Sequence, residues 1–235
     1  MADALLKAKV MNDNIAAESD SESNDIDLRM SRARQLFVSD WRHELLLAGY
    51  CYQFSAGTIT AGGNVAPITG GGAGTIINQD QPEFGFGVPT GYTLIPLRIQ
   101  VACQVDLDAD VEEGNIVLWA DTAAAVPTDG TKTSVNPINM LHGATDVVGT
   151  AFRECTADLT DPSISIVLAY ATVQNSEVTG AGEAVVHLDL LYEPALPPHF
   201  SGPCSVYGAW GGTAAVPGIA SIQYAVVPNA RFNRS

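Results

Sequence analysis

The side chains best equipped to hold a cation lie together at Asp106, Asp108, Asp110, Glu112 and Glu113. Carboxylates at alternate positions are how a calcium loop begins, because each can turn an oxygen onto a common ion. The pattern then fails. Its sharp-turn position, which needs glycine, is Val111, and the twelfth position, which should supply a bidentate glutamate, is Val117. The acids read as a solvated turn, and no metal is expected there. His187 and Asp189 stand two residues apart, so a strand would carry both on one face, an imidazole beside a carboxylate able to orient it. No nucleophile accompanies them, no Gly-x-Ser-x-Gly elbow is present, and His43, His142 and His199 are scattered.

Cofactor chemistry fares no better. Gly62-Gly63-Asn64 and the cluster Gly70 to Gly74 are the glycine-rich stretches, but neither leads through Lys-Ser/Thr into a helix, and neither has the G-x-G-x-x-G spacing. Thr75-Ile76-Ile77 instead starts another strand. Cys51, Cys103, Cys155 and Cys204 are spread along the chain without a C-x-x-C pair or a companion histidine, so zinc is not expected. Cys103 reads as a small buried hydrophobe. The expectation is a protein that is not an enzyme and takes no cofactor. The aromatic residues Trp41, Trp119, Trp210, Tyr207 and Tyr224 leave two readings open. They could form a sugar-binding platform, or they could fill the core and subunit interfaces.

The elements that would carry these residues are strands. From Leu97 to Asp108, apolar Leu97, Ile99, Val101, Cys103, Val105 and Leu107 alternate with Arg98, Gln100, Ala102, Gln104, Asp106 and Asp108, a period of two with one buried face. The acidic turn from Asp108 to Asn115 leads into Ile116-Val117-Leu118-Trp119, and the two segments read as antiparallel strands sharing a core. Further strands are expected at Tyr50 to Ile59, Phe84 to Val88, Val147 to Arg153, Ile164 to Val173, Ala184 to Tyr192, Ser205 to Trp210 and Ala220 to Val227. Ala120 to His142, rich in Thr, Asp, Asn and Pro, reads as a long loop over the barrel end. Trp119-Ala-Asp-Thr-Ala-Ala-Ala-Val-Pro127 is echoed by Trp210-Gly-Gly-Thr-Ala-Ala-Val-Pro217, which is too little for a repeat. The body, residues 50 to 235, is therefore all-β, a jelly roll or β-sandwich.

Ahead of it, residues 1 to 48 read as an extended or partly helical arm. Leu5, Leu6, Val10 and Met11 have helical spacing, Asn12 to Asp27 is an acidic, Ser-rich run expected to be a flexible linker, and Ser31 to Ala48 turns Arg-rich and then apolar. Ser39 or Asp40 can cap a helix there, and Gly49 can end it. The formal charge of −15 is unevenly spread. Ile99 to Ala230 holds 15 acids against Lys132 and Arg153 alone, while the other bases are Arg98 and residues towards the two ends, from Lys7 to Arg42 and at Arg231 and Arg234. An acidic body argues against nucleic acid as a partner, and basic ends suit an acidic protein partner. No apolar run reaches membrane length and the N-terminus lacks a signal-peptide core, so no membrane is expected and folding is expected in a reducing cytoplasm.

Val88-Pro-Thr-Gly-Tyr-Thr-Leu-Ile-Pro-Leu-Arg-Ile-Gln-Val101 resembles the Pro-x-Gly-x-x-Leu-x-Pro phrase that opens a core strand in jelly-roll virion proteins of tailed bacteriophages. The plan of the chain, an N-terminal arm before an acidic Gly- and Thr-rich β body, is similar to that of capsid decoration (cement) proteins. The resemblance implies a homotrimeric structural protein on the capsid surface, assembled in the host cytoplasm, with the major capsid protein as partner. It makes residues 1 to 48 the anchoring arm, with Arg29, Arg32, Arg34, Leu36, Phe37, Trp41 and Arg42 as partner-binding residues. The alternative is a head-fibre or receptor- and glycan-binding β module on the virion surface, working through loops such as 120 to 142 and the aromatic residues.

Overall fold

The computed structural model describes residues 41–59, 65–66, 68–70, 77–106, 113–141, 148–160, 162–174, 185–212 and 216–231. A short helix, α1 (Trp41–Leu47), precedes the strands β1 (Cys51–Ala56), β2 (Thr58–Ile59), β3 (Val65–Ala66), β4 (Ile68–Gly70), β5 (Phe84–Val88), β6 (Tyr92–Asp106), β7 (Glu113–Asp121) and β8 (Thr131–Val135). Then come β9 (Ile138–Asn139), β10 (Thr150–Ala157), β11 (Ile166–Gln174), β12 (Val185–Tyr192), β13 (Phe200–Ser201), β14 (Cys204–Gly212) and β15 (Val216–Pro228). The residues expected to form an N-terminal helix and an acidic linker lie outside the described ones, as do 107–112, the middle of the acidic turn.

Two antiparallel sheets face each other. The first runs β12-β6-β15-β1-β9, with β13 also pairing β6 and β4 pairing β15; the second runs β11-β7-β14-β5-β10-β8. Taken in chain order, the eight principal strands are β1, β5, β6, β7, β11, β12, β14 and β15. The first sheet then holds the sixth, third, eighth and first, and the second holds the fifth, fourth, seventh and second. That ordering is a jelly roll, in which nearly every connection crosses between the sheets. It corrects one expectation: β6 and β7 share the core but no hydrogen bonds, because β6 lies between β15 and β12 while β7 lies between β14 and β11. A second correction concerns Ala120 to His142. Part of it is strand: β9 extends the first sheet beyond β1, and β8 pairs with β10 at the edge of the second.

The core lies between the sheets and is aromatic at its centre. Tyr52 and Phe54 on β1, Phe84 and Phe86 on β5, Trp210 on β14 and Tyr224 on β15 all point inward and are buried. Phe86 and Tyr224 pack across the sheets at 4.5 Å between ring centroids, and Phe54 meets Phe86 edge-on at 5.9 Å. Such pairs add about 0.5–1.5 kcal/mol each beyond the area they bury.

The alternation in β6 holds from Ile99 to Val105, whose apolar members enter this core. Leu97 does not belong to that row. Gln223 of β15 faces Arg98 and Tyr224 faces Pro96, so Leu97 is an extra, unpaired residue, a β-bulge that resets the phase. Leu97 thereby joins Ile95 on the outer face of the first sheet, with Cys51, Ala225 and Val227. Period-two reading cannot see this, because one inserted residue changes which face the earlier side chains take.

Candidate functional surface

That apolar patch on the outside of the first sheet is the seat of α1. A helix of seven residues has no stability of its own in water, so its position depends on what it docks against. Leu45 drops into the patch formed by Cys51, Ile95, Leu97, Ala225 and Val227 and is 5% exposed. Burying one such leucine stabilises by about 2 kcal/mol. The helix ends as the sequence indicated. Gly49 takes φ 75°, its N–H donates to Leu46 O at 2.9 Å, and the Tyr50 N–H donates to Leu45 O at 3.0 Å. This double closure turns the chain sharply into β1 and satisfies the last carbonyls of the helix.

Electrostatics fixes the other end. The Arg42 guanidinium donates through Nη2 to Pro194 O at 2.6 Å and through Nη1 to Glu193 Oε1 at 3.3 Å, and it stands 5.5 Å from the centre of the Trp41 ring. Arg98 Nε lies 3.6 Å from the other carboxylate oxygen of Glu193. Glu193 thus bridges two arginines, one on α1 and one on β6. Beside this bridge runs an open groove of about 300 Å³ whose lining includes Arg42, His43, Leu46, Met140, Glu193 and Gln223. Trp41 is partly exposed at the entry of the helix.

Of the partner-binding residues expected from the sequence, Trp41 and Arg42 sit together on α1. Arg29, Arg32, Arg34, Leu36 and Phe37 lie outside the described residues. The last residues of the 1–48 arm pack on the body, with Arg42 held by Glu193 and Pro194. Glu193, Leu45 and Leu97 complete this arrangement. Nothing local marked Glu193, since its partner Arg42 is distant in sequence; Leu45 was visible as one of a helical apolar group.

The aromatic platform is overturned for four of its five members. Trp119, Trp210, Tyr207 and Tyr224 are all buried, so no sugar reaches their faces. The two echoed tryptophans do not take equivalent places either. β7 and β14 are neighbours in the second sheet, but Trp210 enters the inter-sheet core while Trp119 faces outward into a separate cluster with Val126, Phe152, Leu159 and Tyr207.

His187 and Asp189 do share an exposed face of β12, paired in register with Gln104 and Ala102. Neither lines the groove. Among the described residues no three His, Cys, Asp or Glu side chains converge as metal ligands. Burial pushes the Cys51 thiol up to about 11 and Cys204 to about 12, and it raises Cys103 further still. Buried thiols of this kind are inert. No helix among the described residues is long and apolar enough to cross a membrane. No protein-family model matches the chain, and neither a curated protein nor a solved structure proved similar to it.

Proposed function

We propose that this chain is a structural protein of a virion, without enzymatic activity, whose jelly-roll body decorates or cements a bacteriophage head through its N-terminal arm as a homotrimer. The observation that carries the reading is the docked helix. α1 follows residues 1 to 40 in the chain and is held on the body by Leu45, Arg42 and the Gly49 turn. An arm fixed at its root explores less volume than a free tail, so a given set of contacts to the shell binds more tightly. Three arms on one trimer would multiply weak contacts into a stable attachment. The basic and apolar residues Arg29, Arg32, Arg34, Leu36 and Phe37 are assigned to the capsid contact, with Trp41 at its border.

The test is a deletion made at the helix and not beyond it. Removing residues 1 to 40 keeps Leu45 on its seat, whereas removing 1 to 48 would uncover Ile95, Leu97 and Val227 and confound the result. The shortened protein is expected to stay folded and to lose at least tenfold in co-sedimentation with head shells assembled from the capsid protein of the same genome. Binding at full strength would exclude the arm as the anchor.

A further inference from the structure

Sandwiches expose sheet edges, and an edge strand presents unpaired N–H and C=O groups that invite another strand. Among the described residues the two sheets have four edges, and three of them carry the usual protections. β8 is mostly polar and bears Lys132. β9 is only two residues long and follows Pro137. β12 carries His187 and Asp189 on its exposed face and runs into Glu193-Pro194. The fourth edge, β11, has no charge, no proline and no shortness to guard it, only a bulge at Leu168 in its pairing with β7. Its sequence is Ile-Val-Leu-Ala-Tyr-Ala-Thr-Val-Gln, nine residues without charge or proline, and no charged residue occurs from Pro162 to Ser176. Among the described residues only β7 pairs with it.

The side chains match the backbone. Ile164, Ile166 and Val167 are about half exposed, and Tyr170 is 72% exposed. Together they make a largely apolar strip along the edge strand. Leu168, Ala171 and Val173 reach only part-way into the core from the same strand and add to it.

We propose that β11 is the self-association edge of this protein, where copies of the chain meet. Charge selects the occupant. Each copy carries a net charge of −15, so two copies repel over most of their surfaces and approach most cheaply where neither bears charge. The β11 strip is such a place, and a second copy brings the same uncharged strip to it. Three such edges converging on an axis would bury the patch and leave the acidic faces outward. The inference deepens the proposed coat role and rests on it for the number three.

The test uses the full chain. Val167→Lys with Tyr170→Lys places two charges on the strip, and Thr133→Lys with Ser134→Lys places the same two on the protected β8 edge. Light scattering after gel filtration at about 50 μM is expected to give a trimer for the wild type and the β8 variant. The β11 variant should show a threefold lower mass, close to the 24.6 kDa of one chain. A wild type that is monomeric, or a β11 variant that keeps the wild-type mass, would overturn the proposal. Should the double lysine variant lose its circular dichroism, Tyr170→Cys serves instead: a short bismaleimide is expected to link chains through it, and linkage no greater than in the wild type counts against β11. Shell co-sedimentation separates the two readings. Oligomers that depend on β11 but ignore shells remove only the coat role; a wild-type monomer that binds shells removes the β11 edge and the trimer and leaves the N-terminal attachment standing.

Discussion

Each outer face of the sandwich carries one covered apolar patch, and the two are covered by very different means. On the first sheet the cover is α1, seven residues long, seated by one buried leucine and a half-exposed bridge through Glu193. On the second sheet it is loop on either side of β8 and β10, which brings Val126 and Leu159 over Trp119, Phe152 and Tyr207. The stretch from β7 to β11 is tied at both ends by one buried carboxylate. Asp121 accepts the N–H groups of Ala123 and Ala124 on one oxygen, at 2.9 and 3.2 Å, and that of Ser163 on the other, at 3.1 Å. A cover closed in this way opens only with the body. A cover attached at one end can lift by itself, as regions with few buried contacts do.

The largest expected effect falls on the sealed face. Trp119→Ala should cost about 3–5 kcal/mol in urea-induced unfolding, because the ring is fully enclosed and its neighbours cannot collapse into the space. Leu45→Ala should cost less globally, about 2 kcal/mol at most, and should appear chiefly as faster hydrogen exchange in α1 with the strands unchanged. If both variants shift the global midpoint equally, the contrast between the two faces is wrong.

Cys51 reports the same contrast by chemistry. It lies under α1, with its thiol pushed up to about 11 by burial. Labelling at pH 8 should therefore be slow in the wild type and severalfold faster in Leu45→Ala, while Cys204, inside the core, stays protected in both. The same shifts set an alkaline limit. The Cys51 and Cys204 thiols are raised above 9.0, so the folded state holds protons that the unfolded state releases. Their contribution to stability is complete below about pH 9 and is lost as pH rises towards about 11 to 12; urea midpoints under reducing conditions should fall over that window. The smallest effect is Arg42→Ala, below about 1 kcal/mol in stability since the Glu193 pair is part-exposed, with the residual difference vanishing at high salt.

What the sequence disclosed was set by how local the cause is. The inward row Ile99, Val101, Cys103 and Val105 is a property of one strand and could be read directly, as could Gly49 closing the helix. The face of Leu97 depends on its pairing with β15, more than a hundred residues later, and so could not. The sequence of β8 and β9 reads as loop because Thr, Lys, Ser and Asn do not alternate with apolar residues; both lie at sheet edges, where exposure removes the need for alternation. Trp119 and Trp210 begin nearly the same phrase yet face opposite ways, because facing is decided by the position of each residue within its strand. The arginine cluster was visible as residue types, but Glu193, which holds Arg42, is a product of topology.

The bulge at Leu97 has a mechanical consequence. It creates the seat for Leu45, and that seat lies between the arm and β1, the strand through which any pull on the arm would enter the body. Tension applied to the chain ahead of Trp41 would first peel the seven-residue helix from its seat. Only afterwards would it load the six-residue ladder joining β1 to β15. The helix would act as a replaceable shock absorber, re-seating when the load is released.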